Sequence, residues 1–367
     1  MARYIYQISG WPQFNWEERK LYDLLAKVRF RQGRLLGRMD GLGFSLREEA
    51  LLKTITLDVL KSSEIEGEML NPEQVRSSVA RRLGIDIGGS VPADRAVEGV
   101  VEMMLDATGN YQEPLTQERL FGWHAALFPS GYSGMHKIMV GNWRQLGKGP
   151  MQVVSGPMGR EQVHFEAPEA SVLAKEMEQF LEWLNGTSKI DPVLKAGVAH
   201  LWFVTIHPFD DGNGRIARAI ADMQLSRADE SSQRFYSMSA QIRKERERYY
   251  AILEQTQKDT LDITDWLEWF LHCLNNALSA SEEVLSDVLR KARFWEQHHD
   301  MPMNERQRLM VGKLMDGFVG KLTTSKWAAI TKCSSDTALR DIQDLMTKGI
   351  LAQEPGGSRK TSYVLIG

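Results

Sequence analysis

Between Val193 and Ile206 the chain is apolar almost all the way round, broken only by Lys195, His200 and Thr205. That pattern predicts a helix buried on most of its surface, ended by Pro208. Beyond it Ile216, Ala219, Ile220 and Met223 recur at helical spacing, so a second helix begins near Asn213, its other face carrying Arg215, Arg218 and Asp222. Amphipathic spacing also predicts helices over Asn15 to about Arg38, Ser45 through Val59, Pro72 to about Leu83, Pro92 to about Thr108 and Thr116 to Phe128. Ser45-Leu46-Arg47-Glu48 has the order of a capping box, and Asn71-Pro72 supplies an N-cap with proline at the first helical position. Residues 1 to about 14 read as an extended lead-in. Residues 131 to 168 are punctuated by glycine and hold two β-like runs, Met151–Val154 and Gln162–Phe165, joined through Ser155-Gly156-Pro157, which reads as a β-hairpin. Helices follow over Pro168 to about Leu184, Met238 to Gln257, and from Asp262 onward, with a bridging helix from Ala280 to about His298. Then come helices from Asn304, over Thr324–Thr331 and over Ser334–Lys348, and a hairpin from Leu351 to Ile366 centred on Pro355-Gly356-Gly357.

Composition changes this picture little. The 367 residues are 43% hydrophobic and 25% charged, a globular composition with room for two or three domains. A net charge of −3 gives no overall basic character toward nucleic acid or membrane. The cysteines Cys273 and Cys333 have no metal spacing and cannot frame a disulfide scaffold, which fits a reducing cytoplasm. No run approaches the roughly 18 apolar residues of a membrane span, so no membrane partner is expected.

Chemistry concentrates in His207-Pro208-Phe209-Asp210-Asp211-Gly212-Asn213-Gly214-Arg215-Ile216-Ala217-Arg218. Its glycines lie in a tight loop opening a helix, where free N–H groups and the helix dipole favour an anion. Gly212 and Gly214 let backbone approach phosphate oxygens, and the Asn213 side chain can donate to them. Arg215 and Arg218, about one turn apart, can grip further phosphates. Asp211 is a hard oxygen ligand suited to Mg2+, and only His207 can take a proton near neutral pH.

These residues resemble the Fic family motif, HPFx(D/E)GNGRxxR, at every defined position. The resemblance implies an all-α, mainly helical Fic fold with a β-hairpin flap, and transfer of AMP from ATP to a Ser, Thr or Tyr hydroxyl of a target protein and of the chain itself. His207 would be the base. Gly212, Asn213, Gly214, Arg215 and Arg218 would bind the phosphates, Asp211 would hold Mg2+ (Mn2+ as a substitute), and Phe209 would pack. The GNGR form favours AMP transfer over the phosphorylation of the Doc branch. Ser62-Ser63-Glu64-Ile65-Glu66-Gly67 places acid at a helix end, which is locally unfavourable, and resembles the family's inhibitory (S/T)xxxE(G/N) helix. Ser62, Glu66 and Gly67 would form the brake, with Glu66 competing for Arg218. Val154 and Ser155 of the flap and Tyr250 would flank the nucleotide, with Gln257 where the pattern often has asparagine.

The implied division is an N-terminal helical region over 1–110 with its inhibitory helix at 45–67, a Fic core over 111–278 with its flap at about 151–165, a linker over 279–303, and a winged-helix-like domain over 304–367. That last region holds ten Lys/Arg against six Asp/Glu, and its third helix carries Asp336, Asp341 and Asp344, so DNA and protein stand as equal partners for it. A homodimer is compatible with these features. Two other activities stay open: removal of AMP by the same site, and a DNA-binding regulator whose core senses nucleotide.

Overall fold

The computed structural model describes all residues except 1–2, 88, 90, 148, 157–159, 161, 316, 317, 319, 355–360 and 367, and leaves out the side chains of 44, 45 and 284. The turn expected at Pro157 and the hairpin centre expected at Pro355-Gly356-Gly357 lie outside the described residues. The chain divides into two compact units, Met1–Leu285 and Ser286–Gly367.

The first unit is mainly helical. In order it holds α1 (Glu18–Asp40), α2 (Phe44–Ile65), α3 (Pro72–Leu83), α4 (Arg95–Gly109) and α5 (Gln117–Leu127). Two small antiparallel hairpins follow, β1 (Tyr132–Ser133) with β2 (His136–Lys137) and β3 (Gln152–Ser155) with β4 (Gln162–Glu166). Next come α6 (Leu173–Asn185), α7 (Pro192–Ile206), α8 (Asn213–Asp229), α9 (Met238–Lys244), α10 (Arg246–Gln257) and, as far as Leu285, α11 (Thr264–Gln297). Helix α7 is the axis: Asp191 caps it by accepting from Val193 N at 2.8 Å, and every residue from Val193 to Ile206 is buried. Helices this apolar are stabilised by tertiary packing, here chiefly against α8 and, through Trp266 Nε1 donating to Gly197 O at 2.8 Å, against α11. Helices α4 and α5 touch at backbone distance, for a Cβ on Gly99 would lie 1.7 Å from Ala126 O.

Several sequence expectations are corrected. Helix α2 starts at Phe44 with Gly43 at the cap, so the backbone of Ser45 lies inside the first turn and not at the cap position. The charged helix expected from Met238 to Gln257 is two helices, because the backbone leaves the α region at Glu245 (φ −109°, ψ 28°). The core-closing and bridging helices are one 34-residue helix, α11. The lead-in is not a bare extended arm: Tyr4 and Ile5 are buried, Tyr4 sets its edge against Phe165 at 5.1 Å, and Asn15 exchanges backbone bonds of 2.9 Å with Leu261 and Ile263. The short β1–β2 hairpin had no sequence signal.

The second unit contains α12 (Glu305–Met315), α13 (Thr324–Thr331), α14 (Ser335–Thr347) and an antiparallel pair, β5 (Leu351–Gln353) with β6 (Tyr363–Leu365). Its core gathers Phe294, Met310, Val311, Trp327, Ile342 and Leu345. Two acids of α14 turn toward α12: Arg306 Nε and Asn304 Nδ2 each reach an Asp341 oxygen at 2.8 Å, and Gln307 Nε2 reaches Asp344 at 2.7 Å. They therefore weigh less against an outward anionic partner than their number suggests, while Asp336 stays exposed in the first turn.

Candidate active site

The loop between α7 and α8 is held in an unusual conformation from several sides. His207 ends α7 in the left-handed region (φ 52°, ψ 58°), a setting that costs a non-glycine residue about 1–2 kcal/mol. Arg144, buried and far away in sequence, holds that turn. Its Nε donates to His207 O at 2.8 Å, its Nη2 to Pro168 O, and its backbone N–H to Pro208 O at 2.9 Å. Phe209 is fully buried, stacked on His124 at 4.2 Å with Trp143 beside it. His124 receives Gly141 N–H on Nδ1, which leaves Nε2–H to donate to Asp211 O at 3.2 Å.

The half-buried ring of His207 has its Nδ1 3.2 Å from Val204 O. A carbonyl only accepts, so Nδ1 carries the hydrogen and Nε2 keeps its lone pair. Burial, joined by Arg144, pushes the His207 pKa down to about 4. The ring is therefore neutral at pH 7, as a proton acceptor must be.

Helix α8 begins at Gly212, whose φ of 80° suits glycine and whose Cβ would meet Phe128 at 2.8 Å. No side chain caps the helix, so its first-turn N–H groups remain for an anion. The Asn213 side chain also has a structural task. Its Oδ1 accepts from Phe209 N at 3.0 Å and its Nδ2 donates to Phe209 O at 2.8 Å, so the side chain closes the loop with its oxygen and one of its two N–H donors. Asp211 Oδ1 accepts from Gly212 N at 2.6 Å, and Oδ2 accepts from Ser133 Oγ. Among the described residues no cluster of three or more His, Cys, Asp or Glu could hold a metal. A single carboxylate beside a phosphate cradle still suits Mg2+, which binds through one or two carboxylates plus substrate phosphates.

Both motif arginines are buried, and both are already engaged by acids from the end of α2. Arg218 donates from Nε to Ser62 Oγ at 3.0 Å, and from Nη2 to Ser62 O at 2.9 Å and Glu66 Oε1 at 2.8 Å, while its Nη1 is buried with no acceptor at hydrogen-bond geometry among the described residues. Burial opposes its charge, yet Glu66 lifts its pKa above the usual arginine value. The Glu66 carboxylate lies against α8 itself, since a Cβ on Gly214 would fall 2.3 Å from Glu66 Oε1. Gly67 (φ 87°) turns the chain, with Gly67 N bonding Glu64 O and Glu68 N bonding Ser63 O in a Schellman arrangement. That turn brings a second acid back: Glu68 Oε2 accepts from Arg215 Nη1 at 2.5 Å, while Arg215 stacks over Phe128.

The remaining expected residues divide. Tyr250 is part-exposed beside Tyr249, with the Arg246 guanidinium over its ring at 5.4 Å. Tyr249 is buried and bonds His200 at 2.9 Å. Gln257 is buried, with its Nε2 donating to Thr205 Oγ1 at 3.2 Å. Val154 and Ser155 are exposed on β3, after a bulge between Val153 and Val154. Arg144, His124, Ser133 and Glu68 were absent from the sequence reading. Only Glu68 had a local signal, as a second acid just past Gly67.

Residues 114–225 match the Fic/DOC family, and residues 4–85 match a domain of unknown function (DUF4172). Protein adenylyltransferase Fic of Drosophila willistoni is 26% identical over 235 residues, 63% of this chain and 42% of that protein. Protein adenylyltransferase fic-1 of Caenorhabditis elegans is 31% identical over 96 residues, 26% of this chain and 18% of that protein. The chain thus spans less than half the length of these curated relatives. A Fic family protein from Desulfovibrio desulfuricans G20 shares the fold at TM-score 0.53 and 21% identity, over 95% of this chain and 96% of that one. A Fic domain containing signaling protein from Bacteroides thetaiotaomicron VPI-5482 does so at 0.51 and 20%, over 72% and 96%.

Proposed function

We infer that this chain, whose residues 114–225 form a Fic/DOC family domain, is a protein adenylyltransferase that moves AMP from ATP to a hydroxyl of a target protein and is held low by its own residues 62–68. The observation that carries the reading is the Glu66 carboxylate seated on the N-terminus of α8 and bonded to Arg218. A site that already takes one anion there is built for anions, and the curated relatives it matches are adenylyltransferases by name.

In this reading the triphosphate lies along the α8 N-terminus, with Gly212, Gly214 and the Asn213 backbone around it and Arg215 and Arg218 on its outer phosphates. Asp211 would hold Mg2+, which when bound neutralises phosphate charge. The target segment lies along the β3–β4 hairpin, whose exposed edge can add a strand. His207 Nε2 removes the proton of the target hydroxyl, the oxygen attacks the α-phosphorus, and pyrophosphate leaves. Positioning and charge neutralisation supply most of the acceleration. Glu66 must first release Arg218, because one guanidinium cannot give its fork to both a carboxylate and a phosphate.

The test follows label from α-phosphate-labelled ATP with Mg2+ into protein, using the wild type, Glu66→Gly, and Glu66→Gly with His207→Ala. Strong labelling by the single variant alone is the expected result. No labelling by any of the three would refute transfer. Removal of AMP from a modified protein is the second reading, favoured by the charge of Glu66 being felt at His207, where the pair could position a water.

A further inference from the structure

The flap carries a hydrogen-bonded chain of three groups that the motif does not use. Ser155 at the end of β3 has its Oγ 2.6 Å from His164 Nε2 on β4, and His164 Nδ1 lies 2.6 Å from Glu254 Oε2 on α10. The other oxygen of Glu254 accepts from Lys258 Nζ at 2.5 Å. That bond holds the carboxyl below its usual range and therefore ionised. An ionised carboxylate only accepts, so His164 Nδ1 carries a hydrogen, and in the neutral imidazole Nε2 offers a lone pair. The proton of the Ser155 hydroxyl must then point at Nε2. A hydroxyl, an imidazole oriented by a carboxylate, and hydrogen-bond distance at both joints are the parts of an activated nucleophile. Ser155 is also exposed, so a reactive phosphorus can reach it.

We propose that Ser155 is an activated nucleophile, with His164 as its base and Glu254 orienting that base, and that it accepts a nucleotidyl group within its own chain. The acceptor half of this rests on the adenylyl transfer proposed above. Ser155 Oγ forms a bond to the α-phosphorus of a nucleoside triphosphate, the bond from that phosphorus to the bridging oxygen of the β-phosphate breaks, and pyrophosphate leaves. The hydroxyl proton passes to His164 Nε2, and Glu254 stabilises the imidazolium. The product is a phosphodiester on the flap.

Two measurements on the full chain test it. The first needs no nucleotide: a fluorophosphonate probe is followed by peptide mapping. Labelling of Ser155 that drops at least tenfold in His164→Ala and severalfold in Glu254→Gln is the expected result. A Ser155 left unlabelled, or labelled equally in His164→Ala, would overturn the activation, and would show that the three groups merely pin the flap to α10. The second incubates Glu66→Gly with α-labelled ATP and Mg2+ and maps the modified peptide. Adenylyl on Ser155, lost in Glu66→Gly with Ser155→Ala, supports the acceptor role. Label on other hydroxyls with none on Ser155 overturns that role while leaving adenylyl transfer intact. No label on any protein overturns both transfer readings, and Ser155 is then judged by its phosphonate reactivity alone.

Discussion

Replacing each α2 acid separately should give effects of very different size on ATP binding, although both acids contact a motif arginine. Glu66 bonds a guanidinium that is 1% exposed, and its own side chain is 31% exposed. A hydrogen bond to a charged group in such a place contributes about 1.5–3 kcal/mol. A nucleotide must break that bond to bind, so Glu66→Ala should tighten apparent ATP affinity by about 10- to 150-fold at about 1.4 kcal/mol per decade. Glu68 is 49% exposed at its bond to Arg215. Partly solvated pairs contribute about 0.2–1 kcal/mol, so Glu68→Ala should tighten binding by less than about fivefold. The assay is calorimetric titration with ATP and Mg2+ in a His207→Ala background, where no turnover intervenes. Equal effects of the two substitutions, or a larger effect from Glu68, would refute the reasoning that burial of the pair sets the strength of the brake.

Burial holds His207 down to about 4, against about 6.5 in an unfolded chain, so kcat/KM of Glu66→Gly should be flat above about pH 5 and fall below it; an acid limb near pH 6.5 would contradict this. The fold favours the neutral rings of His124, His200 and His207, so their contribution to stability is fully present above about pH 6.5 and fades as pH falls toward the folded values, read as a Tm that declines over that window. Asn213→Ala breaks two buried bonds to the Phe209 backbone and should cost about 1–3 kcal/mol, seen in denaturant unfolding together with loss of label transfer in the Glu66→Gly background. Gly99→Ala puts a Cβ 1.7 Å from Ala126 O, and an overpacking penalty of about 3 kcal/mol or more should appear as a large fall in Tm.

What the sequence made legible was what is local in it. The α7–loop–α8 stretch declares itself because the apolar run Val193–Ile206 and the twelve polar-rich residues directly after it are neighbours in sequence. The Ser62–Gly67 segment was readable because an acidic helix end breaks a local rule. Long-range support was not readable: Arg144 and His124 act on the loop across 63 and 87 residues, and nothing around them hints at it. The loop-closing bonds of Asn213 were not readable either, because only the fold sets its amide beside the Phe209 backbone. Met238–Gln257 read as one helix since good helix formers run across Glu245, and tertiary packing overrode that propensity. The expected cap at Ser45 is displaced, the helix being entered two residues earlier from Gly43.

The contact between Glu66 and the bare Cα of Gly214 constrains how such a chain can evolve. A side chain at 214 would evict the carboxylate, yet in the proposed reaction it would also fill the space where phosphate oxygens approach the backbone. Release and ruin would arrive in one mutation. On the adenylyl-transfer reading proposed above, substitutions that raise activity are therefore expected on the α2 side, at Ser62, Glu66 or Gly67, and none at 214.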